Sequence, residues 1–329
     1  MDSFSKKLNI VAKDTDLYLK KIFYKKKKYS YLVNPIKYAI FSGGKRFRSS
    51  IIVNTGKIFN INYKKLIIIS AAIECVHSYS LIHDDLPAMD NDNLRRGKLA
   101  THKKFNEFTA ILAGNSLLTL AFEILSSNEL KFSSKIKSDL INTLAIYSGF
   151  SGLAGGQYFD LTLENKKSSR KKIIDIQNNK TGKLFAFCCE CSGIIKGYSL
   201  NKRKRLKNIG LEIGLLFQLA DDLIDYKGDN KIVGKPTKKD RKRGNSYELL
   251  YQMAEGVKAA GDEPVIVNEN VTGPTRDNEM EPTAPIAVMF GYGGTNQRHH
   301  TKGRRRDLVE RAKKKGIYII TFDGGVLSS

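Results

Sequence analysis

Tryptophan is absent from this 329-residue chain, cysteine occurs four times and proline seven. So few cysteines exclude a disulfide-built scaffold: Cys75 stands alone, while Cys188, Cys189 and Cys191 crowd together without the paired spacing of a zinc site. They read as small buried hydrophobes in a reducing compartment. Only three of the prolines fall in the first 250 residues, so little there interrupts long helices. No uninterrupted apolar run reaches the roughly 18 to 20 residues of a membrane span, and no apolar signal core follows Met1-Asp2-Ser3-Phe4-Ser5-Lys6-Lys7. The expectation is a soluble, cytoplasmic protein with no membrane span. Acidic residues are in the minority, 33 against 56 basic ones, and the net charge of +23 attracts nucleic acid, an anionic membrane or small phosphorylated substrates. A hydrophobic share of 41% still supplies an ample core and excludes a disordered chain.

Charge and composition divide the chain after residue 250. Residues 1–250 carry 45 basic and 23 acidic side chains, +22, whereas residues 251–329 carry 11 and 10, +1. Stretches 66–83, 109–125, 138–150 and 206–226 are apolar at helical spacing and free of proline, which predicts a bundle of long helices. The last 79 residues hold four of the seven prolines and ten of the 27 glycines. Short β-type runs at 264–267, 286–290 and 317–322, with a helix expected over 307–315, give this segment α/β character. Gly291-Tyr292-Gly293-Gly294-Thr295 reads as a plain turn, and Arg304-Arg305-Arg306 as a solvated charge run.

Two aspartate clusters stand out. The first, His83-Asp84-Asp85-Leu86-Pro87-Ala88-Met89-Asp90, crowds carboxylates at the end of an apolar helix. His77 and Asp84, seven residues apart, differ by about 20° in azimuth and share a helix face. Asp85 and Asp90 need a local distortion that Pro87 can supply. In the second cluster, Gln218, Asp221 and Asp225 follow i, i+3, i+7 and share one stripe, with Asp222 beside them. Either cluster alone is equally well explained as a solvated helix end. Two of them in one basic helical body point to Mg²⁺, a hard cation that takes oxygen ligands, gripping a diphosphate and stabilising it as a leaving group. The partner is then a small diphosphate and not a nucleic acid, for which no binding motif is present.

In order along the chain, several motifs resemble those of the short-chain trans-isoprenyl diphosphate synthases, the family of farnesyl and geranylgeranyl diphosphate synthases. Asp84-Asp85-(four residues)-Asp90 followed by Arg95-Arg96-Gly97 resembles the first aspartate-rich motif, and Asp221-Asp222-Leu223-Ile224-Asp225 the second. Gly43-Gly44-Lys45-Arg46-Phe47-Arg48 is similar to the isopentenyl-diphosphate loop, Gly155-Gly156-Gln157-Tyr158-Phe159-Asp160 to the central helix, and Lys180-Thr181-Gly182-Lys183 to the allylic-diphosphate contact.

The resemblance implies an all-α bundle with a central cavity over residues 1–250, with 251–329 an unrecognised C-terminal segment. It implies about three Mg²⁺ ions on Asp84, Asp85, Asp90 and Asp221, with Asp222 and Asp225 close behind. Arg95, Lys180, Thr181, Gln218 and Lys235 would hold the allylic diphosphate; Lys45, Arg48, His77 and Arg96 would hold isopentenyl diphosphate. The implied enzyme is a homodimeric prenyltransferase that performs a head-to-tail 1'-4 condensation of isopentenyl diphosphate with dimethylallyl or geranyl diphosphate. Tyr79 and Ser80, five and four places before Asp84, would line the cavity for the growing chain, and the ring of Tyr79 suggests a C15 farnesyl product. A geranylgeranyl diphosphate synthase or a catalytically weakened synthase-like subunit are the alternatives.

The chain departs from the family's pattern in four places. Ser49 stands where proline is usual, Asn115 where aspartate is common and Asn245 where lysine is general, and 251–329 lacks the long closing helices. Taken singly, Lys45 and Arg48 also suit a solvated basic turn, Lys180 an exposed face and His77 a satisfied core histidine.

Overall fold

In a computed structural model, the described residues are 3–163, 166, 168–227, 267–268, 286–292 and 318–324. The chain divides into two compact units, Met1–Asn245 and Ser246–Ser329. The first begins with helices α1 (Ser3–Lys25), α2 (Ser30–Ile40), α3 (Phe47–Ile58) and α4 (Tyr63–Asp84). A two-stranded hairpin, β1 (Leu94–Arg95) and β2 (Lys98–Leu99), follows, then a short α5 (Thr101–Lys104) and α6 (Glu107–Ser126). The rest comprises α7 (Ser134–Ser148), α8 (Leu153–Thr162), α9 (Arg170–Gln177), a π-type turn over Asn178–Gly182, α10 (Lys183–Ile195) and α11 (Leu200–Lys227). Three of the four stretches expected to be helical fall within α4, α6 and α11, and the fourth, 138–150, runs two residues past the end of α7.

The central helix is α4. Its start is set by Asn62, whose side chain accepts the backbone N–H of Lys64 at 3.0 Å and of Lys65 at 3.4 Å. From Leu66 to Val76 every residue is buried, including Ile69, Ile73 and Val76, because α1, α3 and α6 pack around it. Each such aliphatic side chain contributes about 1.5–3 kcal/mol by leaving water. Over Leu66 to Val76 the helix therefore has no solvated face, and polar residues gather in its C-terminal turns. In α10, Cys188, Cys189 and Cys191 are buried free thiols, as is Cys75 in α4, in keeping with the reading of cysteine as a small hydrophobe.

Two helices, α4 and α6, are long and apolar enough to cross a membrane, although the sequence led us to expect no such run. In α4 the apolar residues serve the core, 72% of its apolar window being buried, against 44% for α6. The exposed remainder of α6 includes Phe108, Ile111 and Leu112.

The hairpin is an addition to the all-helical expectation. Its two-residue turn is Arg96-Gly97, both with positive φ, 53° and 74°, the left-handed pairing that suits the twist of adjoining strands. In the second unit, β3 (Val267–Asn268), β4 (Ile286–Tyr292) and β5 (Tyr318–Gly324) form a parallel sheet in the order β3-β4-β5. The three expected β-type runs overlap these strands. The helix expected over 307–315, the turn after Tyr292 and Arg304-Arg305-Arg306 lie outside the described residues.

Candidate active site

At the C-terminal end of α4 the chain turns back on itself. The N–H of Asp85 still donates to the Leu81 carbonyl at 3.2 Å, then Leu86 donates to His83 at 3.1 Å and Asn91 to Leu86 at 3.1 Å. Pro87 sits in this turn, not within the helix, so it ends α4 rather than kinking it. The closing bond runs from the N–H of Asp90 to the carbonyl of Asp84, 2.9 Å, and returns the third aspartate to the first.

Burial raises all three carboxyls. Asp84 is pushed up to about 7, first by loss of water; Asp90 and Asp85 raise it further, and Lys180 and Arg95 oppose them. Asp85 is raised by burial against the pull of Arg95, whose Nε donates to its Oδ1 at 3.0 Å and whose Nη2 donates to the same oxygen. Asp90 is raised by burial, with Lys180 acting against it and Asp92 and Asp160 with it. Among the described residues no three carboxylate, imidazole or thiolate groups converge to cage a metal ion by themselves.

Lys180 reaches this cluster from the π-type turn. Its Nζ lies 2.5 Å from Asp160 Oδ2, and although burial would lower it, Asp160, Asp84 and Asp90 together leave it raised. The turn comes close because residue 156 of α8 is glycine: a Cβ there would strike the backbone of Lys180. Thr181 follows, its hydroxyl donating to Oε1 of Gln218 on α11 at 2.9 Å. One helical turn beyond Gln218 the backbone of α11 carries Asp221 and Asp222, and a turn later Asp225. The side chains of these three, and Lys235 and Asn245 entirely, lie outside the described residues.

The cationic side is built differently. Gly43 and Gly44 have φ of 103° and 122°, and Arg46, before α3, is left-handed at 47°. Lys45 is exposed between them. Arg48 turns inward over the rings of Phe185, 4.7 Å, and Phe217, 5.9 Å, and Phe47 stacks on Phe217 at 5.5 Å, so α3, α10 and α11 share one aromatic seat. From the hairpin turn, Arg96 donates to the carbonyl of Gly43, with Gly44 against its guanidinium. Arg96 is lowered to about 10, first by loss of water and then by the charge of Arg46. His77 faces Arg48, Arg96, Arg46 and Arg95; burial and these charges hold it well below its ordinary 6.5, so it is neutral. Four guanidinium groups gathered around one imidazole make a positively charged seat that suits an anion.

Several contacts were not legible from spacing. Glu74, one turn before His77, is buried and receives Arg46 Nη1 at 3.4 Å. Ser49 gives Glu74 Oε1 both its hydroxyl, 2.8 Å, and its N–H, 3.3 Å, the second a bond that proline could not make. His83 Nε2 lies 3.1 Å from the Ile111 carbonyl of α6, and Tyr79 meets the His83 ring edge-to-face at 4.9 Å. Ser80 is buried, with its hydroxyl bonded to the His77 carbonyl at 2.9 Å.

The sequence profile described as polyprenyl synthetase matches residues 29–280, past the change in composition at 250. The farnesyl diphosphate synthase of Micrococcus luteus is 40% identical over 243 residues, covering 74% of this chain and 81% of that one. An FPP/GFPP synthase from Zymomonas mobilis superimposes with a TM-score of 0.62 at 38% identity, over 77% of this chain and 91% of that one. A geranyltransferase from Helicobacter pylori, complexed with magnesium and isoprenyl diphosphate, gives a TM-score of 0.62 at 33% identity, over 70% of this chain and 79% of that one.

Proposed function

The chain belongs to the polyprenyl synthetase family and is a prenyltransferase; from that premise we propose that it condenses isopentenyl diphosphate with dimethylallyl or geranyl diphosphate to give farnesyl diphosphate. The observation that carries this reading is the pair of opposite charge zones at the end of α4. Asp84, Asp85 and Asp90 stand beside Lys180 and Arg95, and Arg48 and Arg96 stand around a neutral His77.

The acidic zone fits Mg²⁺. Its carboxylate oxygens are the ligands a hard cation takes, and burial raises all three carboxyls even with Lys180 and Arg95 beside them. Asp84, Asp85, Asp90 and Asp221 would hold the metal, supported by Asp222 and Asp225, with about three ions in the family's arrangement. Bound Mg²⁺ supplies neutralisation of the charge on the departing diphosphate. Lys180, Arg95, Thr181, Gln218 and Lys235 grip that diphosphate, while Lys45, Arg48, Arg96 and His77 hold isopentenyl diphosphate. His77, being neutral, donates a hydrogen bond without adding like charge to the guanidinium cluster.

The allylic C1–O bond breaks, and its electron pair leaves with the diphosphate. The isopentenyl double bond then attacks C1, head to tail, forming the new carbon–carbon bond. A proton leaves C2 of the isopentenyl unit for the released diphosphate, and no covalent enzyme intermediate forms.

Further features belong to the same reading. The exposed apolar residues of α6, Phe108, Ile111 and Leu112, support a homodimer, which sedimentation would test. Four buried free thiols suit the reducing cytoplasm. Residues 1–250 act as the catalytic body with 251–329 a separate segment, so limited proteolysis should cut first between residues 251 and 285. The deciding experiment is a Mg²⁺-dependent assay with isopentenyl diphosphate and dimethylallyl or geranyl diphosphate, reading product length. Binding of both diphosphates without turnover would favour the weakened subunit that Asn245 and the atypical C-terminal segment motivate.

A further inference from the structure

Between the loop 43–48 and α4 lies a buried ionic bridge. The guanidinium of Arg46, 3% exposed, is fully engaged: Nε donates to Asp16 Oδ1 at 2.9 Å, Nη2 to the Ile40 carbonyl at 2.5 Å and Nη1 to Glu74 Oε2 at 3.4 Å. Glu74, 2% exposed, uses its other oxygen for the N–H and hydroxyl of Ser49. One arginine thus ties α1, α2 and α4 to the start of α3. Its own backbone is left-handed, a conformation that a residue with a Cβ keeps only where its surroundings enforce it.

The positions on either side of this bridge give it a purpose. Lys45 precedes Arg46, Arg48 follows it by two, and Ser49 is next; His77 comes one helical turn after Glu74. The bridge therefore spans the two segments that carry the cationic zone, and its buried carboxylate both bonds Arg46 and opposes by its charge the lowering of Arg96 by Arg46, Arg95 and Arg48. Burial of both partners makes the pair intolerant of a missing charge.

We infer that Arg46, Glu74 and Ser49 are positioning residues: their buried bridge sets Lys45 and Arg48 of the loop in register with His77 of α4, so that all three meet one diphosphate. This rests on the reading that Lys45, Arg48 and His77 hold isopentenyl diphosphate. A bridge of this kind acts on one substrate and leaves the other untouched, which separates it from a merely structural ion pair.

The experiment measures KM for isopentenyl and geranyl diphosphate, kcat and thermal midpoint in the full chain. Glu74→Gln should raise the isopentenyl KM about tenfold and leave the geranyl KM within about twofold. Ser49→Ala, which removes one hydroxyl and is safe for folding, should raise it about threefold in the same selective way. The double variant Arg46→Met with Glu74→Leu replaces the pair by apolar groups of similar size; it should regain thermal stability yet keep the raised isopentenyl KM. Recovery of that KM together with stability, or a parallel rise for both substrates, would overturn the inference. Lys45→Ala serves as the control. If it raises the isopentenyl KM and Glu74→Gln and Ser49→Ala do not, the positioning role alone is wrong; if it leaves the KM unchanged, the loop's substrate role is wrong and the inference falls with it.

Discussion

On the acidic side of the site, Asp84 and Asp90 meet because one backbone hydrogen bond folds a turn onto a helix end. On the cationic side, Lys45 and Arg48 are presented by a loop that stands on two glycines, a left-handed arginine and an ion pair to a residue 28 positions away. The first arrangement is local and depends on residues within one short segment. The second is tertiary, assembled from α1, α3, α4 and the hairpin. Local construction tolerates change around it but not within it, whereas tertiary construction can be disturbed from several directions.

The sharpest way to break the comparison is at the acidic side. Replacing Asp84 or Asp221 with Ala should lower turnover by on the order of a hundredfold or more if, as proposed, each anchors the metal that stabilises the leaving group. Steady-state kcat at saturating Mg²⁺ measures it. Wild-type turnover in either variant would sink the metal-cluster reading.

The same contrast explains how much was legible in the sequence. The four long helices were readable because 3.6-residue periodicity without proline survives any packing, and the Asp84 and Asp221 clusters because two carboxylate sets in one basic helical body are costly without cations. Lys180 and Arg48 carried no such local signal and entered only by resemblance. The hairpin at 94–99 escaped because its strands are two residues long, below any period-2 pattern, and its turn places an arginine where φ is positive. Glu74 escaped because a lone acid in an apolar helix says nothing about a partner on another helix. Residues 286–292 and 318–324 were readable as strands from their β-branched and aromatic runs, but parallel pairing depends on a crossover that no short run encodes.

Lys180 stands between the two kinds of construction, carried by a tertiary contact but serving the acidic zone. Gly156→Ala places a methyl group against its backbone. The π-type turn must then withdraw, and kcat should fall about tenfold, or 1.4 kcal/mol in the barrier. The isopentenyl KM should stay unchanged, because the loop 43–48 is untouched. A rise in that KM without loss of kcat would place Lys180 on the wrong side of the comparison.

A smaller effect, on stability, tests the cationic side. His77 in the folded protein is held well below its ordinary 6.5 by burial and four arginines, so the unfolded chain binds a proton that the folded chain refuses. Stability is then fully present above about pH 6.5 and is lost as pH falls below it, by up to about 1.4 kcal/mol per pH unit. His83 and His102 are lowered too, chiefly by burial, and add in the same direction. Asp84, raised to about 7, titrates over the same range with the opposite sign, so the quantity to read is the difference in thermal midpoint between wild type and His77→Gln from about pH 7.5 down to 5, in which the variant should lose less stability below pH 6.5. No difference between the two profiles would mean that His77 is protonated in the folded site and that the anion seat is more positive than described.

The smallest effect on rate concerns the product, and it draws on both kinds of construction. Tyr79 lies five residues before Asp84, about 7.5 Å along the helix axis. Its ring is braced from outside α4: it rests on His83, His83 is fixed by the Ile111 carbonyl, and α6 comes this close because residue 114 is glycine. Tyr79→Ala should leave kcat within about threefold and move products from C15 toward C20, since a lost ring lengthens the space for the chain. Gly114→Ala is the finer probe, because its methyl group would strike the His83 ring and displace the brace while keeping Tyr79 itself. It should shift the same ratio in the same direction but less. A changed product in Tyr79→Ala with none in Gly114→Ala would make the ring's position independent of α6, and no change in either would put the floor of the cavity elsewhere.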